Sequence, residues 1–102
     1  MRFLLKATIP VEAGNNLVRD PEFGKRFEDI MADLKPEATY FAVANGQRTM
    51  YLIVNMDDLA QFPALVEPLW LSLKCDVDVT PVMTSADMDK AMASLSEVVK
   101  KY

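Results

Sequence analysis

The sequence of 102 residues contains no histidine, one cysteine and three glycines. Without histidine no side chain has an unperturbed pKa near neutrality, which excludes Ser-His and Cys-His nucleophiles, histidine-ligated zinc and haem held by a proximal histidine. The single cysteine, Cys75, cannot form a disulfide within the chain or a thiolate metal cluster. The few glycines do not form a loop that cradles phosphates. Any catalysis would therefore use Asp, Glu, Lys, Tyr or a substrate-borne cofactor, and we expect no metal and no protein-held cofactor.

Basic side chains and long apolar runs are also scarce. Eleven Lys and Arg stand against fifteen Asp and Glu, a net charge of −4, and no basic stripe occurs, which disfavours nucleic acid as a partner. No run approaches the ~20 apolar residues that span a bilayer, and Lys6 interrupts the short apolar start, so neither a membrane segment nor a secretory signal is predicted. Length and composition predict one globular domain, residues 1–102, in the cytoplasm.

The strongest local signal is a β-hairpin centred on Asn45-Gly46. Two alternating apolar-polar runs, 39–44 and 47–55, meet at this dipeptide, which readily adopts the two positive φ angles of a type I′ turn. Counting outward from the turn pairs Tyr40 with Tyr51. One face is then predicted to be core, with Phe41, Val43, Met50, Leu52 and Val54. The other face is amphipathic and suits an interface or a binding surface, with Tyr40, Ala42, Ala44, Thr49, Tyr51, Ile53 and Asn55.

The rest of the chain divides into two strands and three helices. Period-two alternation predicts a strand over 2–9 and another over 75–82. Residues 11–19 read as a connection with, at most, an irregular helical turn. Helical spacing predicts a helix from an Asp20 N-cap to the residue before Pro36, and a second helix after Asp57 or Asp58 that kinks or breaks near Pro63 or, preferably, Pro68. A last helix is predicted to start at a Ser85 cap and to place its methionines in the core.

This order of elements predicts an α+β, ferredoxin-like βαββαβ unit with an extra C-terminal helix. In this fold an antiparallel sheet carries its helices on one face only. The other face stays open, and because large contiguous apolar surfaces are uncommon on soluble monomers, it is expected to pair with a partner.

The element order, the Asn45-Gly46 hairpin and the extra C-terminal helix resemble the dimeric α/β-barrel superfamily over residues 2–102, most closely its small uncharacterised bacterial members. The resemblance implies a homodimer in which two open faces stack into a barrel. Relatives in the superfamily include cofactor-independent monooxygenases, muconolactone-type isomerases and haem-handling enzymes. The sequence carries no motif of these enzymes, so the resemblance implies a fold and a dimer and no particular activity.

The ferredoxin-like strand order predicts a polar cluster on the open face. The first strand lies between the third and the fourth, so Lys6 is expected beside Tyr51 or Ile53 on one side and Asp76 or Asp78 on the other. One interpretation is an ion pair of Lys6 with Asp78 in a dimer interface, with tyrosines stacked across strands. The other is a small-molecule site in the barrel lumen that uses the side chains of Lys6, Tyr40, Tyr51, Asn55 and Asp78.

Three functions remain open at this point. The favoured one is a homodimer that binds a small molecule in its lumen. A cofactor-independent enzyme on a small organic substrate would need Asp78 as base or Lys6 as acid. A structural or regulatory dimer with a filled interior needs neither.

Outside this cluster, Trp70 is interpreted as core, Cys75 as a small buried hydrophobe, and Arg48 as a solvent-reaching side chain on the core face with anion binding as the minor alternative.

Overall fold

Four strands and four α-helices build the protein, as described by a computed structural model of residues 1–102. In chain order the elements are β1 (Arg2–Ile9), α1 (Val11–Arg19), α2 (Phe23–Leu34), β2 (Ala38–Ala44), β3 (Gln47–Asn55), a 3₁₀ turn (Leu59–Gln61), α3 (Phe62–Leu73), β4 (Asp76–Val82) and α4 (Ser85–Lys101).

The four strands form one antiparallel sheet in the order β2-β3-β1-β4, which confirms the predicted placement of the first strand between the third and the fourth. Helices α1, α2 and α3 contribute side chains to a core on one face of the sheet. That core is a cluster of buried apolar residues including Phe3, Leu5, Ala7, Leu17, Ile30, Leu34, Met50, Leu52, Val54, Leu69 and Leu73. The fold is therefore α+β and consistent with the ferredoxin-like prediction. No helix is both long and apolar enough to cross a membrane.

The hairpin has the predicted turn and register. Asn45 and Gly46 have φ angles of 53° and 73°, and Ala44 pairs with Gln47 across the loop. Tyr40 accordingly lies opposite Tyr51. Positive φ angles at both loop residues match the right-handed twist of the flanking strands, which is why this dipeptide determines the register of both strands.

Alanine substitutions at two glycines should separate the backbone effect of the turn from packing. A Cβ atom added at Gly46 or at Gly24 would meet nothing within 4 Å, so neither change creates a clash. We expect Gly46→Ala to lower the free energy of unfolding by about 1–2 kcal/mol, because of these two glycines only Gly46 has a positive φ. Gly24→Ala in α2 should be neutral or stabilise by up to about 1 kcal/mol. Urea denaturation measures both, and equal midpoints would contradict the backbone explanation.

Several helix boundaries differ from prediction. Residues 11–19, predicted as a connection, form the regular helix α1, which buries Gly14 and Leu17 against the sheet. Helix α2 begins at Phe23, two residues later than predicted, because Asp20 stabilises a turn before it. The Asp20 carboxylate accepts the Glu22 backbone N–H at 2.9 Å and an Arg26 guanidinium N–H at 2.9 Å. Both interactions hold the pKa of Asp20 below its ordinary value.

The prolines of the third helical segment act differently from expectation. Helix α3 runs without a break through Pro68, so the preferred break at that residue is wrong. The interruption comes earlier, where the 3₁₀ turn ends and α3 begins at Phe62, with Pro63 in its first turn. Proline is tolerated in a first turn because the N–H it lacks has no helical partner there.

Helix α4 begins one residue earlier than predicted and is capped by Thr84 rather than Ser85. The Thr84 hydroxyl accepts the Asp87 N–H at 3.2 Å, and the Asp87 carboxylate accepts the Thr84 N–H at 2.9 Å. This reciprocal capping box is the main reason that the pKa of Asp87 is lowered.

The largest departures from prediction concern apolar side chains expected in the core. Phe41 and Val43 are 68% and 79% exposed, because β2 is the outer strand and the helices leave its core-side face largely uncovered. Trp70, interpreted as core, is 47% exposed on α3. Coverage at a sheet edge depends on where the helices lie, which the strand pattern does not encode.

Helix α4 buries none of its residues. Its apolar stripe, formed by Met88, Met92, Leu95 and Val99, is exposed along the helix, contrary to the predicted core role of the methionines. The radius of gyration is 17.1 Å, whereas a compact domain of this length has about 13 Å. The helix therefore leaves the body of the domain with its apolar side uncovered.

Candidate functional site

Two surfaces qualify as candidate sites, one on each face of the sheet. The first is the open face, defined as the side chains that the sheet turns away from the helices. Its central members are Leu4, Lys6, Tyr40, Tyr51, Ile53 and Asp78. The second, the helix-side pocket, is a concave opening between the sheet edge and the helices.

Four of the predicted site residues form one row across the open face. Tyr40 lies opposite Tyr51, Tyr51 opposite Lys6, and Lys6 opposite Asp78, so the row crosses all four strands from edge to edge. At the usual strand spacing it is about 14 Å long. Tyr40 and Asp78 are exposed, whereas Tyr51 and Lys6 are half-buried. The register thus brings a phenol pair, an ammonium and a carboxylate together on neighbouring strands.

Lys6 and Asp78 do not pair with each other within the single chain. The four salt bridges join Arg2 to Glu37, Lys25 to Asp29, Arg26 to Asp20 and Lys100 to Glu97. Neither Lys6 nor Asp78 makes a side-chain hydrogen bond. Both charged groups of the row are therefore available to another molecule.

Asn55 lies apart from the row. It is opposite Arg2 and four residues from Tyr51 along β3, a separation of about 13 Å. Its side-chain oxygen accepts the N-terminal ammonium of Met1 at 3.0 Å, and its amide donates to Glu37 at 3.4 Å. Asn55 therefore belongs to a polar corner with Arg2 and Glu37, and the structure does not bring it together with Lys6.

The helix-side pocket has a volume of about 300 Å³ and was not foreseen from the sequence. Its apolar wall is formed mainly by Ile9, Leu17, Val18, Phe23, Phe27, Phe41, Met50 and Leu73. Arg48 is the one charged residue of the lining. The predicted strand order already placed the hairpin's first strand at the sheet edge, where helices cover the core-side residues least, and this was the available signal for the pocket.

Cys75 lies outside both surfaces. Its side chain is buried, and its thiol donates a long contact of 3.9 Å to the Leu73 carbonyl. Burial raises the pKa of Cys75 to about 11, so the thiolate is scarce at neutral pH. This environment agrees with the interpretation of Cys75 as a small hydrophobe. No group of three or more Cys, Asp or Glu side chains is placed to hold a metal ion.

The fold and the two surfaces define a small α+β domain with a four-stranded antiparallel sheet, helices packed on one face and a polar row on the other. The chain belongs to the DUF3303 family, a domain of unknown function, whose sequence profile matches residues 1–96. No curated protein and no solved structure matches the chain.

Proposed function

We propose that the protein is a homodimer that binds a small polar molecule between two stacked open faces, in the manner of a dimeric α/β barrel. The row of Tyr40, Tyr51, Lys6 and Asp78 is the observation that carries this proposal. In the dimer, two copies of the row would line the lumen, and each side chain keeps the position that the strand register gives it.

The uncovered apolar surface supports the assembly. On the open face, Leu4 and Ile53 lie directly opposite each other in β1 and β3, next to the two tyrosines, and both are only half-buried. The apolar stripe of α4 is a second uncovered surface. Large exposed apolar patches are uncommon on soluble monomers and often mark an interaction surface. A two-fold dimer uses the same surface on both copies, so one self-complementary pairing could cover both.

The two charges support a bound ligand. Stacking a second sheet over Lys6 and Asp78 would remove both from water, and a buried charge without a partner is costly. A ligand with an anionic or carbonyl oxygen would accept hydrogen bonds from the Lys6 ammonium. A ligand hydroxyl or amine would donate to the Asp78 carboxylate. The tyrosine rings would form the apolar walls, with their hydroxyls as additional polar contacts.

Native mass spectrometry of the freshly purified protein tests the assembly and the ligand together. We expect a dimer that carries a small molecule, and we expect the molecule to be released on denaturation. Lys6→Met should keep the dimer and reduce the retained molecule at least tenfold. Lys25→Met is the matched control, because Lys25 forms only an exposed ion pair with Asp29 on α2, and it should leave both signals unchanged.

Two results would contradict the proposal in different ways. A monomer at micromolar concentration would remove the assembly and the lumen. The second result is a dimer without any retained molecule, whose melting temperature rises in Lys6→Met and in Asp78→Asn. It would mean that the two charges destabilise a closed interface and bind nothing, which favours the structural alternative. Loss of turnover with retained ligand in Asp78→Asn would instead identify a cofactor-independent enzyme.

A further inference from the structure

We propose that the helix-side pocket is a second binding site, for a small amphiphilic anion whose apolar body enters the pocket and whose carboxylate is held by Arg48. This site lies on the opposite face of the sheet from Lys6. It is independent of the proposed lumen, and nothing in the dimer proposal requires it.

The apolar part of the pocket is a wall of three aromatic rings. Phe23 and Phe27 have ring centroids 5.9 Å apart, and Phe27 and Phe41 are also 5.9 Å apart, with tilted rings in both pairs. Leu17 and Val18 of α1 contribute to the wall on another side. At about 300 Å³ the pocket is at the small end of ligand sites, which suits a medium-length alkyl chain or a single aromatic ring rather than a drug-sized molecule.

The guanidinium of Arg48 is held in place by uncharged acceptors. One terminal nitrogen donates to the Asn15 side-chain oxygen at 3.1 Å, and the other donates to the Val11 carbonyl at 3.5 Å. Arg48 takes part in none of the four salt bridges. Its positive charge is therefore uncompensated, and N–H donors remain that could bind an anion.

Gly14 allows this position of the guanidinium. A Cβ atom at residue 14 would lie 2.6 Å from Arg48 Nη1 and 3.3 Å from a methyl group of Ile9. Because Gly14 has no side chain, the guanidinium of Arg48 can lie directly against the backbone of helix α1 at this position. The arginine is anchored along the rim of the pocket instead of extending freely into water.

Charge and shape together select the ligand class. An apolar pocket alone would accept any small hydrophobe, but the only charge on its lining is a cation whose planar donors match the two oxygens of a carboxylate. A neutral molecule of the same shape would leave the positive charge of Arg48 without a counter-ion, although its hydrogen bonds to Asn15 and Val11 would remain. The favoured occupant is therefore a small carboxylate with an apolar tail or ring.

Octanoate and octan-1-ol, which share an alkyl chain and differ in charge, are the probes for this site. With the full chain, two-dimensional NMR titration should show saturable shifts of amides in α1, in α2 and around Arg48, with octanoate binding at least tenfold tighter than octan-1-ol. Arg48→Leu should abolish this preference without weakening octan-1-ol binding. Arg48→Lys should restore part of it, because lysine supplies the charge without the planar donor pair.

Two further variants test the position of the site. Val18 is an exposed residue of the pocket lining, so Val18→Trp should weaken both probes without disturbing the core. Lys6→Met removes a positive charge from the other face and should change neither affinity, even if it abolishes ligand retention in the lumen. The Lys6→Met variant therefore distinguishes a loss of binding in the lumen from a loss of binding in the helix-side pocket.

Three outcomes would overturn the inference. The first is equal affinity for the two probes in the unmodified protein, or no saturable binding of either. The second is an octanoate preference that survives in Arg48→Leu. The third is octanoate binding that occurs only after Met92→Glu, which would mean that helix α4 of a second copy occupies the pocket in the unmodified protein.

Discussion

Replacing Leu52 by alanine is expected to lower the free energy of unfolding by about 2–5 kcal/mol, the range found for large-to-small changes in well-packed cores. Leu52 is completely buried, lies on the interior strand β3 and pairs with Leu5, itself almost fully buried. Both strands that flank β3 restrict its backbone, so the surroundings can collapse only partly into the space that the missing atoms leave. Small domains have a total stability of roughly 5–15 kcal/mol, so this single change could remove a large share of it.

Leu71→Ala is the matched control, since it makes the same chemical change at a residue of α3 that is 70% exposed. Surface substitutions usually alter stability by no more than about 0.5 kcal/mol. Urea unfolding followed by circular dichroism, at one protein concentration throughout, measures both variants. Equal destabilisation by the two substitutions would contradict the assignment of the core to the helix-covered face of the sheet.

Met92→Glu is expected to shift the proposed dimer toward the monomer, with a dissociation constant raised at least tenfold, or about 1.4 kcal/mol. Met92 is at the middle of the exposed apolar stripe of α4. Most helical stability in proteins comes from packing of an amphipathic face, so α4 is expected to gain stability from packing in the proposed dimer. A carboxylate introduced into that apolar contact would have to be desolvated without a partner.

Ala93→Glu provides the comparison for α4, because residue 93 is also exposed but lies away from the apolar stripe. It adds the same charge to the same helix and should leave the dimer intact. Sedimentation equilibrium determines the association constants, and far-ultraviolet circular dichroism records the helix content. If both variants remain dimeric with unchanged constants, the stripe is not part of the assembly, whereas the open face could still be.

The parts of the fold that local rules control were predictable. The Asn45-Gly46 turn determined the pairing of Tyr40 with Tyr51, since a two-residue loop with positive φ angles permits one register. The ferredoxin-like order then placed Lys6 beside Tyr51 or Ile53 and beside Asp76 or Asp78. The register of the structure selects Tyr51 and Asp78. The turn and the period-two alternation therefore predict that these four residues share a face and that the two tyrosines pair, whereas their alignment in one row depends on the register of β1 with β3 and β4. Asn55 was grouped with them because it shares their face, but position along the strand separates it from the row.

The candidate site on the helix face could not be derived in the same way. The alternation in β2 assigned Phe41 correctly to the side of Phe27, and the two rings do contact each other. It did not show that Phe41 would remain largely exposed, because the helices leave the outer strand uncovered. Arg48 was likewise assigned to the core side, but its contacts with Asn15 and Val11 depend on α1, a helix predicted only as a connection.

The sequence by itself determined the antiparallel hairpin and the alternation that puts Lys6, Tyr51 and Asp78 on one face, because turn geometry and strand period act over a few residues. The register of β1 with β3 and β4, which aligns those side chains in a row, came from the tertiary structure. Only the tertiary structure decided which apolar residues are covered, since coverage depends on where each helix crosses the sheet. The helices cover the core-side face of β2 only in part, which leaves a pocket beside Arg48. Helix α4 has no surface of its own chain to pack against. Those uncovered surfaces, which no local pattern distinguishes from core, are where the protein is expected to meet its ligand and its second copy.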